Sequence, residues 1–193
     1  YNHTGSKLGM HLDKNKVPGL DASAGSLGHG LPLSLGLGLS ARYKNQDFTT
    51  YCLMGDGECN EGSVWEAAMA ISHYNATNVI TIVDRNRCMM DGGTEEVMAL
   101  EPFTDKWKSF GFNVIVIDGH NLNEIHNALE KARITGDRPS VIIANTFKGC
   151  GVEFMHDNYM FHYASFDSDK QAECHRDIES YHDTRLSEAK GGL

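Results

Sequence analysis

Four short runs rich in β-branched and apolar residues, Phe48 to Met54, Asn78 to Val83, Asn113 to Ile117 and Ser140 to Ala144, alternate with stretches of helical period. This alternation constrains the fold more than any other feature. Strands connected through helices pair in parallel with right-handed crossovers, and a parallel sheet needs both faces covered. The expected class is therefore α/β, a parallel sheet flanked by helices on both faces. At 193 residues the chain can bury one good core, so a single domain is expected.

The intervening segments supply the helices. Leu27, Leu31, Leu35 and Leu39 recur every four residues between Gly25 and Tyr43, which predicts a buried helix with Pro32 in its first turn. Between Gly62 and Tyr74, the residues Val64, Ala67, Ala68 and Ile71 share one helical face. A short helix is expected around Trp107. A longer one opens at Asn121 and buries Leu122, Ile125, Leu129 and Ala132, with Asn121 and Glu124 spaced as a capping box. Residues 1 to 24 read as irregular, and the charged tail after Asp167 reads as helical.

Two of the strands run directly into polar motifs, Gly55-Asp56-Gly57 and Asp84-Arg85-Asn86. If these strands are neighbours, Asp56 and Asn86 emerge together at the carboxyl edge of the sheet, where α/β folds bind ligands. A carboxylate and a carboxamide with no imidazole or thiolate beside them suit a hard cation, Mg²⁺ or Ca²⁺, that keeps positions open for water or phosphate oxygens. The flanking Gly55 and Gly57 allow close approach of the main chain to an anion. A tight turn at Asp56 and a helix cap at Asn86 are the structural alternatives. Other phosphate motifs fail. Asn60 and Leu33 stand where a G-x-G-x-x-G fingerprint needs its last glycine, and Ser63-Val64 stands where a P-loop needs Lys and Ser/Thr.

Composition narrows the partners. A net charge of −9 argues against extended contact with nucleic acid or an anionic membrane, both of which call for a basic face. No apolar run approaches the roughly 20 residues of a membrane span. The five cysteines include no C-x-x-C pair, and the ten histidines include no H-E-x-x-H or zinc-like spacing. Free thiols in a reducing, cytoplasmic compartment are the expectation.

The segment GDGECNEGSVWEAAMA (55 to 70), followed by DRN (84 to 86), resembles the thiamine-diphosphate signature of the transketolase family. The 28 residues between Gly57 and Asn86 (58 to 85) fall within that signature's range. LGMHLDKNKVPG (8 to 19), SAGSLGHGL (23 to 31), MDGGTEEVMALEP (90 to 102), IDGHN (117 to 121) and TFKGCGVEFM (146 to 155) are similar too, so the resemblance reaches to about His162.

The resemblance implies a single diphosphate-binding domain over 1–193, of the thiamin diphosphate-binding fold, with residues 168–193 a helical extension. It implies that Asp56, Asn86 and the main-chain oxygen of Cys88 bind Mg²⁺ or Ca²⁺, and that Gly25, Leu27, Gly55, Gly57 and Glu58 line thiamine diphosphate. His11 and His162 match histidines near substrate and diphosphate, where imidazoles relay protons, and His29 sits in the cofactor-facing block, which makes these three the candidate catalytic residues. Glu61 and Glu66 match acidic positions near a subunit contact. Leu12, Cys150 and Phe161-His162-Tyr163 depart from the family's usual proline, lysine and Trp-His-Gly, all on the substrate side.

Family members carry a pyrimidine-binding domain whose glutamate activates the cofactor, and 193 residues leave no room for it. The resemblance thus implies one subunit of a split transketolase, paired with a C-terminal subunit that holds that domain, in a heterotetramer. Its reaction would move a two-carbon ketol unit from a ketose or its phosphate to an aldose or its phosphate. It also implies residues ahead of Tyr1. Two other readings are a different thiamine reaction, such as acyloin formation or decarboxylation of a 2-oxo acid, and a non-catalytic cofactor-binding subunit.

Overall fold

A computed structural model describes residues 3–191. Its frame is a four-stranded parallel sheet of β1 (Thr50–Gly55), β2 (Val79–Arg85), β3 (Asn113–Asp118) and β4 (Ser140–Asn145), in the order β1-β2-β4-β3. The helices are α1 (Gly30–Tyr43), α2 (Gly62–His73), α3 (Thr94–Val97), α4 (Phe103–Ser109), α5 (Leu122–Ile134) and α6 (Ser168–Gly191).

The strand order explains which face each helix covers. From β1 through β2 to β3 the chain advances across the sheet, and right-handed crossovers place α2 and α4 on one face. From β3 to β4 it steps back, and the same handedness puts α5 on the opposite face. Period-2 alternation divides β2 accordingly. Val79 and Val83 join the core with Leu31, Val64, Ile71, Phe103 and Trp107, while Ile80 joins Ile142, Ala128 and Ala132 under α5.

The expected elements are present, with local differences. The four predicted strands appear within two residues of their expected ends, and α2 buries Val64, Ala67, Ala68 and Ile71 as expected. In α1 the buried row is Leu31, Ser34, Gly38 and Ala41. Leu27 lies before the helix and is 57% exposed, because Gly25 and Gly28 adopt positive φ and hold that segment out of helix. Gly38 belongs to the buried row because α1 crosses β2 closely, and a Cβ there would collide with Val79 Cγ2.

In α5, Leu122 is 76% exposed and the covered face runs through Ile125, Ala128, Leu129 and Ala132. The Asn121 side chain caps α5, accepting from the N–H groups of Asn123 and Glu124. Glu124 does not complete the box on Asn121 N–H. It accepts from Asp118 N–H at 2.9 Å, which ties the helix start to the end of β3.

The tail is helical as expected. α6 lies against the loops that follow β3 and β4, where Arg185 donates to the His120 carbonyl at 2.7 Å and Asp177 accepts from Glu153 N–H at 3.1 Å. All five cysteines are free thiols. Among the described residues no helix is long and apolar enough to cross a membrane.

Candidate functional site

β1 and β2 are adjacent and parallel, with Gly55 opposite Asp84, so the two polar motifs leave the sheet side by side. The Asp56 N–H donates to the Asp84 carbonyl at 3.1 Å, extending the ladder one residue past β1. The Asp56 side chain then turns inward and is 1% exposed. Its Oδ1 accepts from Gly57 N–H at 2.8 Å, and its Oδ2 accepts from Arg87 N–H at 2.6 Å and from Arg85 Nη1 at 3.0 Å. Since Arg87 follows Asn86, the backbone at one expected ligand touches the carboxylate of the other.

Asn86 is oriented by its neighbours. Its Nδ2 donates to Asp84 Oδ1 at 3.3 Å, the oxygen that also accepts from the Thr146 hydroxyl, and its Oδ1 accepts from Cys88 N–H at 2.9 Å. After Asn86 the chain forms a tight hairpin in which Thr94 N–H donates to the Arg87 carbonyl and Met89 N–H to the Gly92 carbonyl. These bonds flank Cys88, whose carbonyl accepts no hydrogen bond among the described residues.

Counting acceptor positions shows what the cluster can hold. A carboxylate offers about four lone-pair sites. Three donors occupy Asp56, which leaves one site on Oδ1. The Asn86 Oδ1 keeps one site, and the Cys88 carbonyl is free. Oxygen acceptors of this kind, one from a carboxylate, one from a carboxamide and one from the main chain, match the ligand chemistry of a hard divalent cation, which also takes water and phosphate oxygens. Burial raises the Asp56 carboxyl above the usual carboxylate range, against the hydrogen bonds from Arg87 and Arg85 that pull it down. A buried carboxylate of this kind benefits from a nearby positive charge.

The other expected site residues form a second group beside the first. A groove of about 790 Å³ opens between α1, the edge strand β1 and the loop before α1, with Gly25, Leu27, His29 and Glu58 in its wall. Asp56 and Asn86 are not part of that wall. His11 packs on Gly25 so closely that a Cβ at residue 25 would sit 2.6 Å from the His11 Cγ. His29 Nδ1 lies 3.1 Å from the Leu27 carbonyl.

Glu58 joins the two groups. Its carboxylate accepts from Gly28 N–H at 2.9 Å and Gly55 N–H at 3.3 Å, which links the groove loop to the end of β1. Met89 covers Gly57, where a Cβ would stand 3.1 Å from its Cγ. His162 is not in the groove wall. It ends the exposed 3₁₀ turn Tyr159–His162, and no hydrogen bond joins it to the Asp56 cluster among the described residues. Glu61 and Glu66 are exposed at the start of α2.

The supporting residues around the strand ends were not legible from motif spacing. Arg85 is 2% exposed and reaches Asp56, Thr94, Glu95 and Glu101 together. Its signal in the sequence is an arginine inside a buried strand run, followed within sixteen positions by three glutamates, Glu95, Glu96 and Glu101, of which Glu95 and Glu101 pair with it. Desolvation opposes ionisation of Glu95, but the Arg85 hydrogen bond and backbone N–H groups hold it down to about 2.

The family described as "Transketolase, thiamine diphosphate binding domain" matches residues 1–183. The chain belongs to that family. One named subunit of the apulose-4-phosphate transketolase of Phocaeicola vulgatus is 38% identical over 163 residues, covering 84% of this chain and 58% of that protein. The 6-deoxy-6-sulfo-D-fructose transketolase subunit SqwG of a Clostridium species is 40% identical over 153 residues, covering 79% of this chain and 56% of that protein. The chain thus spans a little over half the length of these curated relatives. The crystal structure of transketolase from Campylobacter jejuni superposes with a TM-score of 0.79 at 26% identity, over 98% of this chain and 34% of that one. The four-stranded parallel sheet with its helices is therefore the transketolase thiamine-diphosphate-binding fold.

Proposed function

We propose that this chain is the diphosphate-binding part of a split transketolase and works with a partner subunit that carries the pyrimidine-binding domain and its activating glutamate. The observation that carries this reading is the set of three open oxygen positions on Asp56, Asn86 and Cys88, at adjacent strand ends of a thiamine-diphosphate-binding domain. In this reading the whole of 1–193 is one diphosphate-binding domain with 168–193 as its extension. It acts in the cytoplasm, in a heterotetramer of two copies of each chain.

Asp56, Asn86 and the Cys88 carbonyl hold Mg²⁺, or Ca²⁺, against the diphosphate. Asp56 supplies the negative charge and Asn86 a neutral oxygen fixed by Asp84. Gly55 and Gly57 let the main chain approach the phosphates, and Glu58 keeps the groove loop in register with them. Gly25 and Leu27 line the organic part of the cofactor. When bound, thiamine diphosphate supplies the carbon nucleophile needed to cleave and rejoin carbon–carbon bonds at a ketose carbonyl. His11 and His29, beside the groove, and His162 after β4 hold or move protons at substrate hydroxyls through their ring nitrogens.

The Phocaeicola and Clostridium relatives support the split architecture, since each is named as a subunit. The test combines this chain, the partner subunit, thiamine diphosphate, Mg²⁺, a ketose phosphate and an aldose phosphate. The expected result is a product aldose shortened by two carbons and a product ketose lengthened by two. Activity that persists undiminished in Asp56→Ala would show that the chain only scaffolds. Carbon dioxide release from pyruvate without two-carbon transfer would favour a 2-oxo acid reaction, in keeping with the substrate-side Leu12, Cys150 and Phe161.

A further inference from the structure

Arg85 ends β2 as a cation with almost no access to solvent, and its guanidinium is held on several sides. Nη1 donates to Asp56 Oδ2 at 3.0 Å and to Thr94 Oγ1 at 2.8 Å. Nη2 donates to Glu95 Oε1 at 2.9 Å and to Glu101 Oε1 at 3.0 Å. Its Cζ lies 5.2 Å from the centroid of the Phe103 ring. Asp56 is the buried partner in this cluster, whereas Glu95 and Glu101 are 40% and 58% exposed.

The consequence for Asp56 follows from the count of acceptor sites. Arg85 and the Arg87 N–H use both sites of Oδ2, and the Gly57 N–H uses one of the two on Oδ1. The carboxylate can therefore offer a cation one oxygen and one direction, and cannot chelate through both oxygens. Mg²⁺ demands near-octahedral geometry and is satisfied by one-oxygen carboxylates, while Ca²⁺ takes six to eight oxygens and often chelates a carboxylate through both.

We propose that Arg85 is a positioning residue that restricts Asp56 to a single open acceptor site and thereby sets the cation preference toward Mg²⁺ over Ca²⁺. The inference rests on the reading in which Asp56 and Asn86 hold the cation. The positive charge of Arg85 opposes both divalent ions alike, so it largely cancels in their ratio. The geometric restriction does not cancel.

The experiment titrates the chain assembled with its partner subunit with thiamine diphosphate by calorimetry, in separate series with MgCl₂ and CaCl₂, and reads the ratio of the two affinities. In Arg85→Met the ratio should fall about tenfold in favour of Ca²⁺, the scale of one charged acceptor position. Arg85→Lys, which keeps a donor within reach of Asp56, should restore most of the ratio even where it lowers stability. Glu101→Gln, at a carboxylate more than half exposed, loosens the guanidinium without emptying the cavity and should move the ratio the same way, by about threefold. It decides the matter if Arg85→Met does not fold.

Wild-type binding with the same ratio in Arg85→Met, or in Glu101→Gln where Arg85→Met does not fold, overturns this proposal alone. Failure of the wild-type assembly to bind with either cation overturns the reading of Asp56 and Asn86 and this proposal with it.

Discussion

Replacing Asp56 by Asn separates the stability of the site from its ligand chemistry. Each of the three contacts to Asp56 is a donor, so the Asn amide must oppose at least one of them. The less costly placement keeps the oxygen toward Arg85 and Arg87 and turns the NH₂ against Gly57 N–H, at roughly 1–3 kcal/mol for the spoiled bond. Loss of one member of a buried ion pair costs about 3–5 kcal/mol when it strands the other charge. Here it does not, because Glu95 and Glu101 still neutralise Arg85.

A compensating gain comes from the burial that raises the Asp56 carboxyl, since the neutral amide no longer bears it. The terms oppose, and the cation-free variant should lie within about 1 kcal/mol of wild type in urea unfolding. Ligand linkage should not survive. Thiamine diphosphate with Mg²⁺ at a hundred times its Kd should add about 2.7 kcal/mol to wild type and nothing to Asp56→Asn. A cation-free loss of roughly 3 kcal/mol or more would show that Asp56 serves mainly as the structural counter-ion of Arg85, and equal ligand stabilisation would show that it does not hold the cation.

Three further changes probe the frame around the site. Gly25→Ala combines a φ of +133° with a Cβ 2.6 Å from the His11 ring, so it should displace His11 at a cost of about 1–3 kcal/mol. Chemical-shift change at the His11 imidazole checks it, and an unmoved imidazole would contradict the contact. Gly38→Ala forces α1 away from Val79 and should destabilise by about 1–3 kcal/mol in chemical unfolding, with the site geometry retained. Glu95, held at about 2 in the fold against 4.5 ordinarily, contributes stability above pH 4.5 that is lost as pH falls toward 2. Glu95→Gln should therefore be less stable than wild type at pH 7, by about 0.2–1 kcal/mol for a half-exposed partner, with the difference closing on acidification. A difference that widens toward acid would reverse the sign.

The strands and α2 were legible because β-branched runs and a one-faced apolar period are local signals, and tertiary packing agrees with them at Val64, Ala67, Ala68 and Ile71. The placing of Asp56 and Asn86 just past the ends of neighbouring strands was legible for a related reason, since β1 and β2 are adjacent and parallel. Leu122 and Leu27 escape such reading because period alone does not say where a helix starts to be covered. Leu122 stands in the first turn of α5, beyond the sheet face, and Leu27 precedes α1 on a glycine-bent loop.

The supporting side chains were harder still. Arg85 reaches Glu101 across sixteen positions, and Asp84 meets Thr146 across sixty-two. The second pairing depends on β2 lying beside β4, which no local pattern encodes. Glu58 lines the groove and also accepts from two backbone amides, contacts visible only once Gly28 and Gly55 are in place.

The most direct measurement is a crystal structure of the chain grown with thiamine diphosphate and Mn²⁺ in place of Mg²⁺, with the metal located by its anomalous signal. The expected peak lies about 2.0–2.2 Å from Asp56 Oδ1, Asn86 Oδ1 and the Cys88 carbonyl oxygen, with diphosphate oxygens completing its shell. A diphosphate bound with the metal elsewhere, or with Asp56 still turned wholly to Arg85, would contradict the assignment.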